Sequence, residues 1–390
     1  MTGREGRAGA LLEYLEGCRG RMVDLLVEIA SLESPSDVRD SQGPVQKVLR
    51  AALDERGFTV RSVRGRDTGG LLYARPRSRE RGRATQLLIG HSDTVWPLGT
   101  TASMPVVVDG DRVRGPGVFD MKAGVVQGIF ALEALSALAL APPATPVFVI
   151  NSDEEIGSPE SRRWIRLLAK SASRALVLEP AYGPEGRLKT ARKGIGRFRV
   201  TAHGVAAHAG LDPTAGASAI VEMAHATLAL HRLTDLERGT TVNVGVVRGG
   251  TRSNVIAAEA VAGVDVRVVT LADGAEVTQA IRSIEPRTPR TSLDVEGGIS
   301  TPPLERTARN VALWLEAVAA GERLGLRLDD YMAGGASDGN TTSQYTATLD
   351  GLGAIGDGAH ARHEWVSIDG MVERAALLAE LLMSPLASDS

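Results

Sequence analysis

Three short apolar runs, QLLIG (86–90), PVFVI (146–150) and ALVL (175–178), each stop abruptly at residues that can hold a proton or a metal ion. The first leads into His91 and Asp93, the second into Asp153, Glu154 and Glu155, and the third into Glu179. Runs of four or five apolar residues are too short for helices and suit strands buried on both faces. Helical patterns separate or precede them, as in LLEYLEGCRGRMVDLLVEIASL (11–32), PVQKVLRAALDERG (44–57) and AGVVQGIFALEALSAL (123–138). Strands alternating with helices specify an α/β layer around a largely parallel sheet, and such sheets bind ligands outside the carboxyl ends of their strands. The ionisable residues stand at those ends.

From about residue 194 the rhythm changes. GRFRVTAHG alternates as a strand, GASAIVEMAHATLALHRL is amphipathic at helical spacing, and TTVNVGVVRGG and AAEAVAGVDVRVV read as strands. A helix near 273–285 and the strand TSLDVEG complete a βαββαβ set, the order of the ferredoxin-like split unit. Helical patterning of the first kind returns at 306–325. A small domain, residues 193–302, is therefore expected as an insertion into a larger one built from residues 1–192 and 303–390, and 390 residues are indeed more than one hydrophobic core usually serves.

A formal net charge of −3 gives no electrostatic case for nucleic acid or an anionic membrane as partner. The one basic run, RPRSRERGR (75–83), lies between two apolar segments and reads as a solvated turn, and the tail SPLASDS is expected to fray. Cys18 is the only cysteine, which excludes an intrachain disulfide and a thiolate-based zinc site. No apolar stretch reaches membrane-spanning or signal-peptide form, so the expected location is the cytoplasm.

Three consecutive carboxylates at the end of a buried strand cost several kcal/mol unless a cation or proton compensates them. His91 and Asp93, two apart on an extended segment, project to the same side, so that the imidazole can take a metal while Asp93 holds its other nitrogen, or His91 is a satisfied core histidine. Asp120 in GPGVFDMKAG is either a ligand or a helix cap, and GAHARHEWV adds His360 and His363 in a glycine-rich loop. Nitrogen and oxygen donors without thiolate favour catalytic zinc, cobalt or manganese with an open position. His208 lies in AAHAGLDP, a loop of small residues suited to presenting a side chain across a gap. Two rival motifs carry less. GLGAIG (351–356) has no amphipathic helix after it, and GASDG (335–339) around Ser337 leaves too few residues before His360 for the crossovers a serine hydrolase places there. A third class is a non-catalytic binding protein on the same scaffold, which the several acids and histidines at strand ends weigh against.

HSDTVWP, GPGVFDMKAG, NSDEEIGSPESR, LEP, HGVAAHAG, GGASDGN and GAHARHEWV occur in the order and spacing of the di-zinc aminoacylase and carboxypeptidase superfamily, and the chain resembles its glutamate carboxypeptidase branch over roughly residues 20–380. The resemblance implies a zinc-exopeptidase-type α/β/α catalytic domain carrying a ferredoxin-like lid and dimerisation domain, two divalent ions and a homodimer. It implies that Asp120 bridges the ions, with His91 and Glu179 on one and Glu155 and His360 on the other, His360 lying four residues before Glu364 as the family spaces it. By the same resemblance Glu154 is the general base, Asp93 orients His91, and His208 stabilises the developing oxyanion from a partner subunit. Arg267 and Asn254 would bind the substrate carboxylate, Arg187 falls near a cation associated with glutamate preference, and the Asp120–Met121 peptide bond is expected to be cis. The implied substrate is an N-acyl amino acid or small peptide with a free C-terminal carboxylate, and acetylornithine deacetylase and succinyl-diaminopimelate desuccinylase use the same machinery. The family often has proline where this chain has Ala257.

Overall fold

A computed structural model describes residues 4–80 and 82–386, so that residues 1–3, Arg81 of the basic run and the last four residues of the tail lie outside the described residues. Chain contacts divide it into two compact units: Met1–Thr190 with Arg306–Met332 and Ser337–Ser390, and Ala191–Glu305 with Ala333–Ala336.

The first unit is built on a six-stranded sheet with the spatial order Phe58–Val63, Leu71–Pro76, Thr145–Asn151, Thr85–His91, Ala172–Val177 and Ala347–Leu349. The first strand pairs antiparallel with the second and the second antiparallel with Thr145–Asn151, and the other three pairings are parallel. Every residue of Thr145–Asn151 is buried, and all but the first of Thr85–His91, because helices cover both faces. One face carries Arg4–Gly17, Arg19–Ser31, Gln42–Glu55, Ala123–Ala137, Ala308–Arg323 and Ile368–Leu382 around a common apolar core. The other packs Arg162–Ala169 through Ile165 and Ala169 against Leu87, Ile89, Val147 and Val149. The pattern that spans 11–32 thus forms two helices, interrupted at Cys18, where Gly17 and Gly20 weaken continuity. Helix Ala123–Ala137 lies close against the chain leaving strand Ala172–Val177: a Cβ on Gly124 would lie 2.1 Å from the carbonyl oxygen of Leu178, so only glycine permits this approach.

The second unit is a four-stranded antiparallel sheet in the order Thr241–Gly249, Glu259–Val268, Gly194–His203, Ser292–Thr301. Its helices Ala219–His231 and Leu271–Arg282 cover one face, burying Met223, Ala226, Val277 and Ile281 against alternate strand residues such as Phe198, Val200 and Val264. This is the expected βαββαβ arrangement, with its own core. Strand Thr241–Gly249 lies at the sheet edge and exposes Val246 and Val247. Among the described residues no helix is long and apolar enough to cross a membrane.

Candidate metal centre

His91 ends strand Thr85–His91 and is 1% exposed. Its Nδ1 donates to the backbone carbonyl of Asp93 at 3.0 Å, with the Asp93 carboxylate farther off at 3.4 Å. The expected carboxylate partner is therefore secondary: the chain turns after the strand and offers its own carbonyl first, while the Asp93 carboxylate accepts from Ser36 Oγ (2.7 Å) and from the Glu155 N–H (3.2 Å). Either way the tautomer is set, and Nε2 faces Asp120 Oδ1 at 3.4 Å, Glu179 Oε1 at 3.5 Å and Glu154 Oε2 at 3.9 Å.

Asp120 lies in the irregular turn Val118–Lys122, entered through Gly117 at φ +71° and containing the expected cis bond to Met121. One buried group organises this turn. Glu364 accepts from the N–H groups of Gly117 (2.9 Å), Phe119 (2.9 Å) and Asp120 (3.1 Å) and from the indole of Trp96 (3.0 Å). Burial pushes the Glu364 carboxyl up to about 7 against the pull of these donors. Held this way, Asp120 directs Oδ1 to His91 and Oδ2 to His360 Nε2, 3.5 Å away. His360, half-exposed at φ +61°, also reaches Glu155 at 3.1 Å, whereas His363 lies by Asp357 at 3.9 Å. The ligand atoms of His91, Asp120 and Glu179 form one group within 4.8 Å of one another, and those of Asp120, Glu155 and His360 form a second.

The segment carrying Glu154 and Glu155 is a tight turn rather than an extended strand, with N–H groups of Gly157 and Ser158 on the carbonyls of Glu154 and Asp153 (2.7 Å each). Turn geometry, not strand alternation, sends the two glutamates toward different histidines. Asp153 takes no part: it is buried and accepts from the N–H groups of Glu160 (2.8 Å) and Ser161 (3.1 Å) and from Ser161 Oγ (2.5 Å). Asp338, pushed up to about 7 by burial, accepts from Ser158 Oγ (2.6 Å) and Asn151 Nδ2 (2.8 Å) and so braces the same loop. Ser337 is its helix cap. The hydroxyl donates to Asp350 (2.5 Å) and accepts from the Gly339 N–H (3.0 Å), so the serine-nucleophile reading of GASDG gives way to a capping box on Asp338–Thr342.

The electrostatics are those of crowded carboxylates sharing protons. Burial and the charge of Glu179 raise Glu154 well above the ordinary range, and burial raises Glu155 against its bond to His360. Burial opposes ionisation of Asp120 too, but the nearby His91 imidazole, with the charges of His360 and Lys189, holds it low. His360 is raised to about 9, chiefly by its bond to Glu155, and His91 is raised despite burial by Asp120, Asp93 and Glu179. His91 Nε2 and Asp120 Oδ1 are buried without a hydrogen-bond partner. Nitrogen and oxygen donors converging on two points, two of them orphaned, fit two divalent cations that share Asp120.

The remaining expected residues divide between the units. Arg187 belongs to the first, with Nε unpartnered and one terminal nitrogen 3.5 Å from Glu185. His208, Asn254 and Arg267 belong to the second. Exposed His208 accepts at Nδ1 from the N–H groups of Gly210 and Leu211 (3.1 Å each), which leaves the proton on Nε2. Arg267 forks onto Asp265 (2.8 and 3.1 Å), and the Asn254 carbonyl accepts from the Ala209 N–H at 3.0 Å. Sequence reasoning missed Glu364, Asp153 and Asp338 as supports; a carboxylate spent on backbone N–H groups leaves no spacing signature, though the four-residue step from His360 to Glu364 was visible.

Residues 190–286 match the M20 peptidase dimerisation domain. Carboxypeptidase G2 of Pseudomonas sp. (strain RS-16) is 28% identical over 369 residues, 93% of this chain and 88% of that one. Acetylornithine deacetylase of Myxococcus xanthus is 30% identical over 229 residues, 55% of this chain and 58% of its own length. Among solved structures, aminopeptidase PepT of Bacillus cereus superposes with a TM-score of 0.78 at 21% identity, covering 94% of this chain and 98% of that one. A dinuclear metal binding peptidase of the M20 family from Bacillus subtilis gives 0.71 at 15% identity, with 94% and 98% covered.

Proposed function

We propose that this chain, which belongs to the M20 metallopeptidase superfamily, cleaves the amide bond of an N-acyl amino acid or small peptide with a free C-terminal carboxylate, in the manner of a glutamate carboxypeptidase. The coarser activity, metal-dependent peptidase or amidohydrolase, is supported by the likeness to carboxypeptidase G2 and to solved metal-binding peptidases of the M20 family. The observation that carries the reading is Asp120, whose two oxygens face two histidines, each with a glutamate of its own. In this assignment His91 and Glu179 hold one ion, Glu155 and His360 the other, and Asp120 both, with zinc the first choice for such a donor set.

When bound, the ion pair supplies Lewis acidity and a water acidified toward neutral pH. The chain's own residues do the rest. Glu154, whose proton affinity is raised by burial beside Glu179, takes the proton of the attacking water and returns it to the leaving amine. The Asp93 carbonyl and carboxylate keep His91 Nε2 turned inward. His208, with its proton on Nε2, donates to the developing oxyanion from the partner subunit of a homodimer. Arg267 and Asn254 receive the substrate carboxylate, and Arg187 a further acidic or acceptor group. The likeness to acetylornithine deacetylase supports a second reading, a deacylase of the same chemistry.

Chelation should abolish hydrolysis and added zinc or cobalt should restore it, and across a panel of N-acyl amino acids and dipeptides the free carboxylate should be required. Turnover that survives chelation refutes the metal reading. Equal turnover of carboxamide-capped substrates refutes the carboxypeptidase one.

A further inference from the structure

The chain that leaves Glu179 forms a hairpin in which Tyr182 and Arg187 exchange both backbone hydrogen bonds (2.8 and 2.9 Å). Buried Arg374 of helix Ile368–Leu382 donates to the carbonyl of Gly186 and so fixes the hairpin end. On this support the ring of Tyr182 stacks on Tyr331 of strand Asp330–Ala333, centroids 3.5 Å apart and planes within 7°. The Arg187 guanidinium carbon lies 5.2 Å from one ring centre and 5.6 Å from the other. Nearly equal distances to two rings so closely stacked put the cation beside the pair, at its rim, and not over an outer face. The outer face of Tyr182 is therefore unclaimed by the cation, and the residue is 39% exposed.

Arg187 is weakly engaged. Its Nε has no hydrogen-bond partner, and Glu185, the acid 3.5 Å away, is itself mostly exposed, a pairing of little strength. The place is also right. Tyr182 follows Glu179 by three residues, which an extended chain spans in about 11 Å, the scale of an acylated amino acid. Arg187 and Lys189 are alternate residues of one extended segment and project to the same side, and Lys189 is the residue whose charge reaches Asp120.

Resting on the amidohydrolase reading above, we propose that Tyr182, Tyr331 and Arg187 form a subsite for an aromatic group of the substrate, a flat ring that adds a third layer to the stack and turns an acceptor at its edge toward the guanidinium. The ring can come from the acyl group or from the amino-acid side chain, and two substrate pairs separate these sources: N-benzoylglycine against N-acetylglycine, and N-acetylphenylalanine against N-acetylalanine. Binding of each is measured by calorimetry on metal-free protein, and KM and kcat on zinc-loaded protein.

In one pair the aromatic member should bind roughly 3–10-fold more tightly, the usual worth of one aromatic contact. Tyr182→Leu should erase that preference, leaving kcat and the alkyl member unchanged, and Tyr331→Leu should weaken it. The pair that shows the preference identifies the source of the ring. Equal binding within both pairs, or a preference that Tyr182→Leu leaves intact, overturns the subsite. Because binding is read without metal, an aromatic preference with no hydrolysis of any substrate would count against the amidohydrolase reading alone, and hydrolysis without the preference against the subsite alone.

Discussion

At Asp120 a single carboxylate faces two imidazoles, and the carboxylates around them favour the protonated form of each. His360 is raised to about 9 by Glu155, and His91 lies above its ordinary value among three carboxylates. A histidine ligates only when neutral, so at pH 7 metal uptake must expel at least the His360 proton. The sign follows: below about 9 the apparent metal affinity should rise with pH, by about tenfold per unit for each proton displaced, and above it the dependence on His360 should vanish. Calorimetric titration of the metal-free protein with zinc, repeated in buffers of different ionisation enthalpy, measures the protons released; none released at pH 7 would contradict this account. The side chains of the two groups were legible in the sequence because each stands where a strand or a glycine-rich loop stops, a position visible in the residue pattern. Their supports were not. Asp153 looks like a third candidate ligand in NSDEEIGS until its hydrogen bonds to Glu160 and Ser161 are seen.

Among the elements, the turn Val118–Lys122 depends most on something outside itself. Three of its neighbouring N–H groups and the Trp96 indole converge on Glu364, a carboxylate that precedes the strand Trp365–Ser367. Glu364→Gln would set an amide NH₂ against donors and leave part of that shell unsatisfied, at a cost of about 2–4 kcal/mol. Lower thermal stability should be accompanied by lower zinc content on elemental analysis, because the same turn aims Asp120. A variant with full zinc and unchanged melting would show that the turn holds its shape unaided. The alternation of strands and helices was readable because burial on both sheet faces demands unbroken apolar runs. The break at Cys18 and the turn at Glu154 were not, since helix periodicity continues across 11–32 and a tight turn of polar residues has the same composition as a strand end.

For the whole molecule, the proposed role of His208 is the point most open to test. If His208 acts across a homodimer, His208→Ala should lower turnover by roughly 10²–10³-fold with metal content unchanged. Mixing it with inactive Glu154→Gln should restore activity, because one hybrid site pairs an intact metal cluster with an intact histidine. Hybrids verified by mass that stay inactive would mean that His208 works within its own chain or not at all. The insertion itself was legible in the sequence as a change of strand and helix rhythm near residue 194, whereas the return of Ala333–Ala336 to the small unit was not, because four residues carry no periodicity.

The interruption of one compact unit by another also sets an order of events during synthesis. A ribosome that has finished residue 190 has made His91, Asp120, Glu155 and Glu179, yet the sheet lacks its sixth strand and His360 does not exist until the chain has passed through Ala191–Glu305. At ordinary elongation rates that passage lasts on the order of ten seconds. Throughout it the nascent protein carries Asp120 and Glu155 without His360, so the second group of converging side chains is complete only once residue 360 has been made. A product cut short after residue 305 would therefore hold the sheet, helices and core of the small unit without its segment Ala333–Ala336, and would lack His360 altogether.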